Sequence, residues 1–158
     1  ASIYNEIFSE EFHNTLFISA GGNDVEVNSV IALQIIAKAF NGVGLKLLKD
    51  RDVRTDAERT TFLAQSVANK MLERREIENY IFDKEVLREF CNKNSKVFDE
   101  ARYDTSVSDI NLQDLKLIQQ EIQACCGTNG SVSDFKRELG KVINKNMDVY
   151  TSLKNLIF

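Results

Sequence analysis

Apolar positions recur at three- and four-residue spacing along much of the chain, which predicts helices. Ser2 to Phe12 carries Ile3, Ile7, Phe8 and Phe12 on one stripe. Val25 to Phe40 is apolar on most sides and reads as a buried helix. Thr55-Asp56-Ala57-Glu58 has the capping-box form, so a helix is predicted from there to about Met71, carrying Phe62, Leu63 and Val67. Asp83 is the expected N-cap of a helix with Val86, Leu87, Phe90 and Cys91 on one face. Leu112, Leu115, Ile118, Ile122 and Cys125 predict one long helix that Gly127 stops. Asp134 to Lys145 predicts another, with Phe135, Leu139, Val142 and Ile143 inward, and Asp148 to Phe158 a last short one. Lys93 to Ile110 is polar and weakly patterned and reads as a loop.

Two short apolar runs have a different character. Thr15 to Ser19 is a strand stopped by Gly21-Gly22-Asn23-Asp24, and Val43 to Lys49 is a strand that runs into Asp50-Arg51-Asp52. Alternating strand and helix implies a parallel sheet with helices packed on it. Two strands make a poor sheet. A third is expected from Met71 to Phe82, from the loop region, or from chain ahead of Ala1.

The 158 residues suit one domain, here with a helical extension over residues 93–158. Hydrophobic residues at 43% and charged residues at 28% are ordinary for a globular chain and argue against disorder. No apolar run approaches the roughly 18 residues of a membrane span, and Ala1 to Glu11 lacks the basic start of a signal peptide. A net charge of −4 disfavours nucleic-acid binding by bulk charge alone. Acids that hold a metal remain compatible with it. Cys91, Cys125 and Cys126 are an odd set with an adjacent pair, which fits a reducing cytoplasm. Cys125 and Cys126 read as core fillers. With His13 the lone histidine, no Ser/His/Asp or Cys/His set can be assembled.

Asp50-Arg51-Asp52 is the sharpest candidate for chemistry. Ligands of parallel α/β sheets bind at the carboxyl ends of strands. Residues two apart on an extended chain point the same way, so Asp50 and Asp52 would present two carboxylates to one point. A hard cation such as Mg²⁺ takes oxygen ligands of this kind. The same charges also suit a solvated turn before the Thr55 helix, and Arg51 and Arg54 suit its surface. Arg74-Arg75-Glu76-Ile77-Glu78-Asn79-Tyr80 is a second cluster, either a surface ion-pair set or a carboxylate beside the metal with an arginine on phosphate. Lys136, Arg137, Lys141 and Lys145 form a basic stripe, with 137, 141 and 145 at i, i+4 and i+8. That stripe is a solvated face or a polyanion contact. Gly140 inside a helix points to a close approach or a kink. No Walker motif is present.

The runs FISAGGNDVE, LKLLKDRDVRTDAER and RREIENYIFDKEVL resemble the Toprim domain of overcoming-lysogenization-defect (OLD) proteins, ATPase-coupled nucleases of which many act in bacterial phage defence. The resemblance covers roughly residues 1–90, and more loosely the tail to Gly140-Lys141. It implies an α/β, Toprim-like (Rossmann-like) fold and Mg²⁺ or Mn²⁺ held by Asp50 and Asp52. It further implies Glu78 at the site and Lys141 stabilising charge on a scissile phosphate of DNA or RNA. Arg51, Arg54, Arg75, Arg137 and Lys145 become candidate nucleic-acid contacts. The family's first-strand Glu-Gly is expected ahead of Ala1, as is an ATPase partner or domain, so the chain reads as a fragment. A homo-oligomer suits the class. The rival reading is a non-catalytic Toprim-like module that docks on an ATPase or dimerises.

Overall fold

A computed structural model describes residues 1–19 and 44–158. The Gly21–Asp24 turn, the Val25 to Phe40 helix and the first residue of the Val43 strand lie outside the described residues. Within them the chain is mixed α/β, with eight α-helices and a two-stranded parallel sheet. The order is α1 (Ser2–Phe8), β1 (Leu47–Lys49), α2 (Asp56–Ala64), β2 (Asn69–Met71), α3 (Glu78–Ile81), α4 (Lys84–Lys93), α5 (Glu100–Ser106), a 3₁₀ turn (Leu115–Leu117), α6 (Gln119–Cys125), α7 (Val132–Val142) and α8 (Asp148–Ile157).

In the β1–α2–β2 unit, β1 is shorter than the sequence predicts and β2 falls where the end of a helix was expected. The Thr55 capping box forms as expected: the Glu58 carboxylate accepts from the Thr55 amide at 2.8 Å, and the Thr55 hydroxyl accepts from the Glu58 amide at 3.3 Å. The helix ends at Ala64 instead of near Met71 because Asn69 to Met71 is needed elsewhere. Those residues pair with Leu47 to Lys49 in parallel register, Leu47 opposite Asn69. The Asn69 side-chain amide donates to Phe62 O at 2.9 Å and seals the helix end. Val67, expected on the apolar stripe, is 97% exposed. β1 covers only the last three residues of its predicted run, since a ladder is no longer than its partner. Ahead of it, the Lys46 ammonium caps the carboxyl end of α8, donating to Ile157 O and Phe158 O at 2.9 and 3.1 Å.

Thr15 to Ser19 is not a strand. Its alternation is real, with Phe17 inward and Leu16 and Ile18 exposed, but its neighbour is a side chain. Asn5 accepts from the Phe17 amide at 2.9 Å and donates to Phe17 O at 3.1 Å, imitating a strand edge. The Phe17 ring stacks on Tyr4 at 5.1 Å.

The carboxyl half departs from expectation in two places. The predicted loop over 93–110 contains α5, capped by Asp99 and anchored by the buried Tyr103, whose hydroxyl donates to Phe82 O at 2.8 Å. The predicted helix over 112–125 is broken into the 3₁₀ turn and α6, leaving Leu112 and Leu117 exposed. Gly127 ends α6 at φ +58°, the stop the sequence predicts. Cys91, Cys125 and Cys126 are free thiols within the core. That core runs from Tyr4, Ile7 and Phe8 of α1 through Phe82, Leu87, Ile122 and Leu139 to Leu153 and Ile157 of α8. Each such side chain contributes about 1.5–3 kcal/mol by leaving water. No helix among the described residues is long and apolar enough to cross a membrane.

Gly140 is the close approach that its place in a helix implied. It is buried on α7 against α1, where an added Cβ would sit 3.5 Å from both the Glu6 Cβ and the Ile3 Cγ2. That is ordinary contact, so Gly140→Ala gains helix propensity without a clash. We expect urea unfolding to show a stability gain of up to about 1 kcal/mol.

Candidate functional site

Asp50 follows directly on β1, and the Leu72–Ile77 segment follows on β2, so both leave the carboxyl ends of adjacent parallel strands. The two segments continue side by side beyond the sheet. Leu72 donates its amide to Lys49 O at 3.0 Å, and Asp52 donates to Arg75 O at 2.8 Å. Glu76 and Glu78 are thereby carried to the same rim as Asp50.

The Arg74–Tyr80 run holds its shape through its own side chains. Tyr80 is fully buried, and its hydroxyl accepts from the amides of Glu73 and Arg74 at 3.2 Å each. Arg74 donates to Asn79 O at 2.6 Å and pairs with Asp83 at 2.7 Å. Asn79 is fully buried and fully bonded. Its Oδ1 accepts from the Glu76 amide at 3.2 Å, and its Nδ2 donates to Ile110 O at 2.8 Å and Gln113 O at 3.0 Å. Arg75 adds a hydrogen bond from its backbone amide to Asn111 O at 2.7 Å and a pair with Asp114 at 3.0 Å. Asp114 in turn caps the 3₁₀ turn through the Lys116 amide at 3.2 Å.

Lys116 thus arrives at the rim, and its ammonium pairs with Glu76, whose side chain is 3% exposed. Lys136 of α7 pairs with Glu78 at 2.8 Å. Asp50 meets no hydrogen-bond or ion-pair partner among the described residues. Burial, then the nearby Glu78 carboxylate, with further push from Asp52 and Glu76, raises its carboxyl to about 6 against the pull of Lys116. Burial likewise raises Glu76. Lys116 is held above its ordinary value, although burial opposes it, by Glu76, Glu78 and Asp50.

Several candidates from the sequence fall elsewhere. Asp52 has φ +53°, so the chain is not extended there and the alternation that aligned it with Asp50 is lost. Its carboxylate turns to Arg54 at 3.2 Å. Arg51 braces the turn, donating to Arg54 O at 2.9 Å and Glu73 O at 3.0 Å and pairing with Asp56 at 2.9 Å. Arg75, a candidate phosphate contact, is taken by Asp114. Arg137 pairs with Asp134 at 2.9 Å, and Lys141 with Glu138 at 2.8 Å, both on the exposed side of α7. Lys141 lies about 140° around the helix from Lys136, so Lys136 is the α7 lysine that reaches Glu78. α7 ends at Val142, and Lys145 lies exposed beyond it, off the predicted stripe. Of the residues that meet here, Lys116 is the one that sequence reasoning left without a role; Lys136 stood in the basic stripe and Glu76 in the Arg74–Tyr80 cluster. The charge of Lys116 between Leu115 and Leu117 was the one signal.

The donors at this rim are carboxylate oxygens, the chemistry a hard cation takes. Their arrangement does not fit one: among the described residues, no three His, Cys, Asp or Glu side chains converge to hold a metal. Asp52, Glu76 and Glu78 are each turned to an internal cation. No family model matches the chain, and neither a curated protein nor a solved structure matches it significantly.

Two outcomes are expected. Asn79→Ala strands buried carbonyls and an amide, and should cost about 2–4 kcal/mol in denaturant unfolding. Asp50 has a folded pKa above its ordinary 3.8. Its ionisation therefore lowers stability as pH rises from 3.8 to about 6, and the loss persists above that. Asp50→Asn should be more stable than the wild type by about 1–3 kcal/mol at neutral pH. The difference should vanish as pH falls toward 3.8.

Proposed function

We propose that this chain is a Toprim-like domain of an OLD-type, ATPase-coupled protein, acting as a cytoplasmic, metal-dependent nuclease on DNA or RNA in phage defence. One observation carries the reading. Asp50, at the carboxyl end of a parallel strand, lacks a described partner, and burial first, then the neighbouring carboxylates led by Glu78, raise its pKa to about 6. A protein gains no stability from that crowding, which is how sites for a cation or for acid–base work behave. The likeness of the Asp50-Arg51-Asp52 and Arg74–Tyr80 runs to the family supports the same class. In this reading Asp50 and Asp52 would hold Mg²⁺ or Mn²⁺ through their carboxylate oxygens, which requires Asp52 to leave Arg54, and Glu78 is the neighbouring acid. Lys141, Arg51, Arg54, Arg75, Arg137 and Lys145 are the candidate phosphate contacts.

A second reading, a non-catalytic module that docks on an ATPase or dimerises, has its own support. Arg51, Arg54, Arg75, Arg137 and Lys141 all have intramolecular partners.

Calorimetry with Mn²⁺ separates the two. The nuclease reading expects saturable binding that is lost when Asp50→Ala and Asp52→Ala are combined. Equal heats from the double variant would refute the metal site and leave the docking module. Cleavage of plasmid DNA and of single-stranded RNA is then measured on the intact protein with Mg²⁺ or Mn²⁺.

A further inference from the structure

The loop between α6 and α7 contains an Asn-Gly step, Asn129-Gly130. The chain on either side of it is fixed. Lys96 donates its ammonium to Gly127 O at 2.8 Å. The Ser131 hydroxyl accepts from the Asp134 amide at 3.3 Å and caps α7. Gln123 donates to Gly130 O at 3.2 Å, so that carbonyl is taken. The step itself is left to water. Asn129 and Gly130 are both exposed. Neither the Asn129 side chain nor the Gly130 backbone amide has a hydrogen-bond partner among the described residues. Asn5, Asn69 and Asn79, by contrast, have their side-chain amides committed. An asparagine side chain and the next backbone nitrogen can close a five-membered ring. A glycine in that next position puts no Cβ in the way of the approach.

We propose that Asn129 is a site of spontaneous modification, converted by water to aspartate and isoaspartate through a cyclic imide with Gly130. The Gly130 amide gives its proton to a solvent base, and its nitrogen bonds to Asn129 Cγ. The bond from Cγ to the side-chain nitrogen breaks, and that nitrogen takes a proton from solvent and leaves as ammonia. Water then opens the ring. Addition at Cγ gives aspartate. Addition at the main-chain carbonyl carbon gives isoaspartate, with the backbone rerouted through Cβ and Cγ. One water enters and one ammonia leaves, with no oxidation or reduction. The product adds one negative charge to a chain of net charge −4. The new carboxylate lies in the loop ahead of the amino end of α7, where a helix accepts an acid.

Gly130→Ala isolates the chemistry from the fold. An added Cβ there meets nothing within 4 Å, and the backbone is outside the left-handed region, unlike Gly127 at φ +58°. The protein is held in mildly alkaline buffer, folded and in urea, and the peptide containing Asn129 is weighed over time. Peptide mapping separates it from the chain's other Asn-Gly step, Asn41-Gly42. The folded protein should gain one mass unit at Asn129 at a rate comparable to the unfolded chain. Isoaspartate in that peptide should accept a methyl group from S-adenosylmethionine and a carboxyl methyltransferase. Gly130→Ala should slow the gain by about tenfold or more. A folded protein whose Asn129 peptide keeps its mass overturns the proposal, whether or not the unfolded chain changes. A gain as fast in Gly130→Ala overturns the route through the Gly130 amide.

Discussion

The site depends on one buried amide. Asn79 lies out of water with both of its N–H groups and its oxygen committed, and the three bonds tie two separate stretches of chain. The bond to Glu76 shapes the segment leaving β2. The bonds to Ile110 and Gln113 hold a loop thirty residues on against that segment. An amide that loses one of these partners leaves a buried polar group unmet, so the three contacts form together or not at all. Lys116 follows the same loop, and its position opposite Glu76 is inherited from Asn79.

Charge at the rim is arranged against stability. Parallel strands end side by side, so segments that leave them bring their acids together whether or not the acids attract anything. Asp50 takes the worst of it, partly buried and pushed by Glu78, Asp52 and Glu76. The lysines relieve Glu76 and Glu78 but leave Asp50 raised. The arginines go elsewhere, into turns and onto helix faces. Arg51 and Arg75 act as braces whose guanidinium groups join backbone or acid across 22 and 39 residues.

Much of the fold was legible because its signals are local. The Thr55 capping box, the Asp83 cap, the Gly127 stop and the α7 apolar stripe depend on neighbours within one or two turns, and all of them form. The failures share a cause. α2 ends early, and the helix expected over 112–125 breaks, because distant partners claim the residues. β1 takes Asn69 to Met71, and Asn79 and Arg75 take the loop before Leu115. Thr15 to Ser19 keeps the alternation of a strand yet pairs with the Asn5 side chain, which no pattern within the run could reveal.

The sequence by itself determined where acids, turns and apolar stripes fall, and it singled out Asp50 and the Arg74–Tyr80 run as the stretches worth chemistry. Those are properties of residue type and spacing. Only the tertiary structure decided which charges meet. It turned Asp52 to Arg54, sent Lys141 to the outer side of α7, and delivered Lys116 and Lys136 to Glu76 and Glu78. The physical reason is range. Helix caps and periodicity act within a few residues, whereas an ion pair spanning 58 residues forms only after packing has brought its two elements together.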